Sequence, residues 1–188
     1  MIKFYINKEL SHIFSIKLAK WKRWSREFLP PDPLGGFQSG YARQYNLDEA
    51  FTVFLGGHLV GNLKLTIPEA RQILHDLHQW LVDHDFYFDF SGNANPKNKP
   101  VHPVQNYQIA IISTNISHGN LPGLRYRVKA IITSDSVDFN GAPMHRERFI
   151  ESSIGASDTE PAQLNAASYR VLNISVLRHT FLGYVQPD

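Results

Sequence analysis

A chain of 188 residues, 43% hydrophobic and 19% charged, is long enough for one large domain or two small ones and has the composition of a soluble globular protein. It contains no cysteine, which excludes disulfide scaffolds, thiol redox chemistry and thiolate zinc sites. The net charge of +2 hides an asymmetry: residues 1–45 carry eight Lys or Arg against Glu9, Glu27 and Asp32, so the remainder is acidic and only the head suits a polyanion. No apolar run reaches bilayer length, and the first residues lack the apolar core of a secretory signal. No membrane association and a cytoplasmic location are therefore expected.

The first half reads as helix. Asn7 can cap a short helix in which Leu10, Ile13 and Phe14 fall at helical spacing. After a turn at Ser15, a second helix is predicted from about Lys17 to Phe28, stopped by Pro30-Pro31. The Pro- and Gly-rich stretch 30–46 predicts a loop followed by a short strand or wing. A third helix is expected from near Asp48, carrying Ala50, Phe51, Phe54 and Leu55, with its C-terminal limit left open by Gly56-Gly57. A fourth is expected from Thr66, where Glu69 can complete a capping box.

Residues 17–28 divide cleanly around a helix. Trp21, Trp24 and Phe28 share one face, and Lys20, Lys22, Arg23 and Arg26 spread over the other with Ala19. An aromatic anchor beneath a cationic surface fits a recognition helix, which must be held rigidly while it presents Lys and Arg to a groove. Arg23 is the candidate to read guanine, because its fork matches O6 and N7 together; the lysines suit phosphates. The alternative for such a charge pattern is a solvated helix face.

The stretch ELSHIFSIKLAKWKRWSREFLPP, followed by GYARQYNLDEA and LKLTIPEARQIL, resembles the winged helix-turn-helix domain of MerR-type proteins over about residues 4–82. That resemblance implies double-stranded DNA as partner, with Arg23 and Lys20 toward the groove. It implies that Arg43 and Tyr45 grip the backbone from a wing, and that Trp21 and Trp24 are structural. The full set of expected DNA contacts is Lys17, Lys20, Lys22, Arg23, Arg26, Tyr41, Arg43 and Tyr45. Proteins of that family usually continue into a long dimerising helix, whereas here the periodicity turns to β-structure near residue 84.

From residue 84 the sequence alternates. Strands are expected at 86–90, 107–114, 125–133, 145–151, 169–177 and 180–185, with a loop or short helix over 152–168. The fold class is thus α+β: a helical DNA-binding domain at 1–83, then a mainly antiparallel β domain at 84–188. The β domain is expected to bind a small-molecule effector or to hold a homodimer together.

His75 and His78 share a helix face, an arrangement that can ligate zinc or nickel, but with His84, Asp76, Asp83 and Asp85 nearby the spacing fixes no third ligand. No nucleophile elbow or phosphate-binding glycine loop is present, so neither a metal, a cofactor nor an enzyme is expected. The expected function is sequence-specific DNA binding by a transcriptional regulator. The alternatives are an architectural, recombination or phage-type DNA-binding factor, or an enzyme housed in the β domain.

Overall fold

The computed structural model describes residues 4–32, 42–88, 106–118, 121–155 and 169–185. It is a mixed fold of helices and antiparallel sheet, and the chain divides into two compact units. One comprises Met1–Lys97 with Arg178–Asp188, and so draws on both ends of the chain; the other is Asn98–Leu177.

The helical unit opens with β1 (Tyr5–Ile6) and α1 (Asn7–Ile13), followed by α2 (Leu18–Phe28). A two-residue β2 (Gln44–Tyr45) pairs antiparallel with β1 and places Tyr45 opposite Tyr5. Then come α3 (Leu47–Gly61) and α4 (Ile67–Asp83). Asn7 does not cap α1. The helix starts with it, Glu9 accepts from the Ile6 N–H at 2.9 Å, and the Asn7 side chain is engaged by Tyr45 instead. Between α1 and α2 the backbone turns at Ser15 with φ 53°, and the Ile16 N–H donates to Ser11 O at 2.9 Å.

Both later helices carry the reciprocal cap that satisfies two otherwise orphaned N–H groups. Glu49 and Asn46 cap α3, and Glu69 and Thr66 cap α4 as expected. The first helical turn of α4 tolerates Pro68 because that N–H has no intrahelical acceptor.

The core of this unit is aromatic. Trp21, Tyr45 and Phe51 are fully buried with Leu10, Leu55, Ile73, Leu77 and Leu81. Phe181 completes it, with its ring 5.2 Å from Phe51, 5.6 Å from Phe14 and 5.8 Å from Phe88. The residues around Phe181 correct the expectation of a strand at 180–185. The last strand spans only Arg170–Asn173, and Ile174–Val185 is a helix, α5, whose residues from Arg178 onward belong to the helical unit. Buried positions Ile174, Leu177, Phe181 and Val185 follow the three-to-four spacing of a helix, which overrides the β-branched character of the segment. The expected strand at 86–90 is likewise replaced: Phe86 and Tyr87 lie buried beyond the end of α4, and 89–90 fall outside the described residues.

The second unit is a four-stranded antiparallel sheet in the order β5 (Ala142–Ile154), β4 (Leu121–Phe139), β3 (Asn106–His118), β6 (Arg170–Asn173). Cross-strand partners Ile109–Val128, Ile111–Tyr126 and Ile109–Leu172 put one apolar face together, and all five residues are buried. Strands β4 and β5 run well beyond the strands expected from sequence, because Asn140-Gly141 closes them into a hairpin. Both residues have positive φ, 54° and 81°, the geometry of a two-residue type I′ turn.

Candidate nucleic-acid interface

Helix α2 is held from below by ring packing. Trp21 is fully buried, Trp24 and Ser25 nearly so, and Phe28 half-buried. Their seat is α3, where Gly56 and Gly57 lie mid-helix. A Cβ at Gly57 would stand 2.3 Å from Cζ3 of Trp24, and one at Gly56 2.5 Å from Cδ2 of Phe28. The paired glycines therefore do not end α3; they let two helices approach at a distance no larger residue permits. On the other side, the Tyr45 hydroxyl donates to Asn7 Oδ1 at 2.6 Å and shares a 2.7 Å hydrogen bond with Ser25 Oγ. This one phenol ties α1, α2 and β2 together. Burial holds its pKa above the ordinary tyrosine value, against the opposing Ser25 hydrogen bond and Arg43 charge.

Above this seat the cations stand outward. Lys17, Lys20, Lys22, Arg23 and Arg26 are all exposed, and none forms an ion pair among the described residues. Lys20 lays its Nζ 4.7 Å from the Trp24 ring centroid, leaving its charge at the surface. The first turn of α2 contains no acidic residue, so Lys17 and Lys20 add to the positive end of the helix dipole rather than offset it. Glu27, on the flank of α2, is taken up by Arg71 of α4 at 2.5 Å. The outer face is thereby left uniformly cationic.

The expected wing contacts are distributed differently. Tyr41, with most of 35–45, lies outside the described residues. Tyr45 is only 1% exposed, which corrects its expected place as a backbone grip: its ring is core and its hydroxyl is already engaged. Arg43 is also committed internally. Its guanidinium donates to Pro30 O at 2.9 Å and to Glu49 Oε1 at 3.0 Å, bracing the exit of α2 against the start of α3. The sequence signal missed here was Glu49, which serves both as partner of Arg43 and as the capping residue of α3.

The histidines do not converge. His84 stacks on Trp80 at 4.1 Å with Nδ1 2.8 Å from Trp80 O, and His78 lies 5.4 Å from the Tyr87 ring. Among the described residues no three potential ligands come together.

A second feature lies on the sheet unit. The face opposite Ile109 and Val128 holds a depression of about 280 Å³ lined by Gln108, Ala110, Arg127, Lys129, Phe149 and Tyr169, among others. Its cations are matched by acids: Lys129 pairs with Glu147 and covers the Phe149 ring, and Arg127 approaches Glu151 at 3.8 Å. The charge of this depression is internally balanced, unlike that of α2. No helix among the described residues is long and apolar enough to cross a membrane. Comparison of the chain with models of known protein families, with curated proteins and with solved structures finds no match.

Proposed function

We propose that the helical unit binds double-stranded DNA in a sequence-specific manner, as a winged helix-turn-helix head with α2 as its recognition helix. The observation that carries this reading is the set of five exposed cations on α2 and its N-cap that have no acidic partner among the described residues, mounted on a helix whose other face is locked by Trp21, Trp24 and Tyr45. Clustering like charges on one helix face, with Lys17 and Lys20 at the positive end of its dipole, is unfavourable in the free protein and favourable against phosphate. Rigid mounting limits the side-chain and helix ordering that binding would otherwise require.

Within that face, Arg23 offers the bidentate geometry for guanine, and Lys17, Lys20 and Lys22 supply phosphate contacts. Arg43 acts indirectly by fixing the end of α2. Regulation of transcription is the role we assign to such a head. Selection of bound duplexes from a random pool tests the reading. A consensus should emerge, Arg23→Ala should relax it at one base pair, and the selected sites should lie in promoters. Recovery of no consensus, or a consensus indifferent to Arg23→Ala, contradicts it.

A further inference from the structure

Beyond Ile131 and Phe149, β4 and β5 leave the rest of the sheet and continue as a two-stranded arm. It has seven cross-strand pairs, from Thr133–Arg148 to Phe139–Ala142, and is about 24 Å long at strand rise. A β-bulge between Ile131 and Thr133 marks its base. Alternation gives the arm two unlike faces. Ser134, Ser136, Asp138, His145 and Glu147 lie on one. On the other, Thr133 pairs with Arg148, Asp135 with Arg146, Val137 with Met144 and Phe139 with Ala142. That second face lies on the same side as the apolar face of the sheet, which ends at the Ala130–Ile150 pair, and its apolar side chains stand in water: Phe139 is 62%, Ile150 52% and Met144 49% exposed. An isolated two-stranded ribbon is marginal in water, so an uncovered apolar face on one calls for a partner.

We infer that the partner is a second copy of this chain, whose arm packs face to face on the first about a two-fold axis running along the ribbon. The register carries the argument. Such an axis places each residue over the cross-strand neighbour of its counterpart. Phe139 then meets the partner's Ala142 and Ile150 the partner's Ala130, so that large side chains fall on alanines, and Val137 meets the partner's Met144. Asp135, paired in its own arm with Arg146 at 2.6 Å, falls over the partner's Arg146, so the charges also complement themselves. An isologous interface requires this self-complementarity.

Other occupants fit less well. The arm carries Arg146 and Arg148 against Asp135, Asp138 and Glu147, which gives a polyanion no net attraction. The outer edge of β5 bears Pro143, Arg146, Glu147 and Arg148, residues that discourage edge-to-edge pairing, so the contact is through the face. This inference does not depend on DNA binding by α2.

The test uses the full chain and sedimentation velocity. The wild type should be a dimer at about ten micromolar, and Phe139→Asp should be a monomer with unchanged circular dichroism, as desolvating a charge within the packed tip of the arm requires. Two charge variants separate contacts between arms from contacts within one. Asp135→Arg and Arg146→Asp, each alone, set like charges against each other both within the arm and across the axis, and each should dimerise about tenfold or more weakly than wild type. Mixed together they should form a heterodimer, because arginine on one arm then meets aspartate on the other throughout. A monomeric wild type, a Phe139→Asp variant that remains dimeric, or a mixture no tighter than its components would each overturn the inference.

Discussion

The indole of Trp24 rests on the bare backbone of Gly57, so close that a Cβ there would stand 2.3 Å from Cζ3. The contact fixes the height of α2 above α3, and therefore how far the cationic face projects. Two opposing effects decide what Gly57→Ala does. Alanine favours the helix by about 1 kcal/mol, whereas forcing an atom into a packed ring contact costs about 1–3 kcal/mol. At 2.3 Å the clash should win. The expected result is a lower denaturant midpoint with unchanged m value, together with weaker duplex binding from a displaced α2. A control at Gly61, where a Cβ would meet nothing within 4 Å, should be neutral or stabilising.

Tyr45→Phe separates the structural reading of this residue from the backbone contact implied by the family resemblance. The variant deletes a hydroxyl shared by Ser25 and Asn7 and leaves those partners unmatched. A loss of about 1–3 kcal/mol in unfolding free energy is expected. The salt dependence of duplex binding should not change, since the buried hydroxyl does not reach a phosphate. A smaller salt slope with unchanged stability would return Tyr45 to the interface.

Acid should weaken the fold before the carboxylates titrate. Burial lowers the pKa of His58, and lowers that of His84 against the opposing Trp80 carbonyl contact and nearby Asp83 and Asp85 charges. A histidine whose folded pKa lies below its unfolded value stabilises the protein fully above about pH 6.5, and that contribution fades as pH falls through the folded value. Melting temperature should therefore decline from about pH 6.5 downward. His58→Gln combined with His84→Gln should flatten this part of the profile. An unchanged slope in the double variant would place the acid sensitivity elsewhere.

The hairpin turn gives a local test of the arm. Asn140 and Gly141 both occupy the left-handed region, and the Gly141 N–H donates to Asp138 Oδ1 at 2.9 Å. Replacing Gly141 with valine forces a β-branched residue to positive φ, at a cost of about 1–2 kcal/mol. Amide exchange should accelerate from Thr133 to Arg148 and stay unchanged in the helical unit. Uniform acceleration through both units would show that the arm does not open independently.

What the sequence disclosed and what it concealed follow from the range of the interactions involved. The cationic face of α2, the turn at Ser15 and the Thr66–Glu69 cap each lie within about ten consecutive residues, and they are legible directly. The role of Tyr45 is not, because a two-residue strand is fixed only by its pairing with Tyr5, 40 positions away. Nor is α5: its β-branched residues resemble a strand until Phe181 is seen among Phe14, Phe51 and Phe88. The glycines of α3 leave the end of that helix open in the sequence until Trp24 and Phe28 are placed on them. Asn140-Gly141 is a different kind of omission, since that dipeptide between alternating residues is itself a strong hairpin signal.

The central claim is that the exposed face of α2 neutralises DNA phosphates, and the dependence of duplex affinity on salt measures this most directly. Each neutralised phosphate contributes about −0.9 to the slope of log affinity against log salt, so a head using three to five of the α2 cations should give about −3 to −5. Replacing Lys20, Lys22, Arg23 and Arg26 together with alanine should reduce the slope to about −1 or less while leaving the thermal transition intact. Absence of duplex binding at low salt, or an unchanged slope in that variant, would contradict the account.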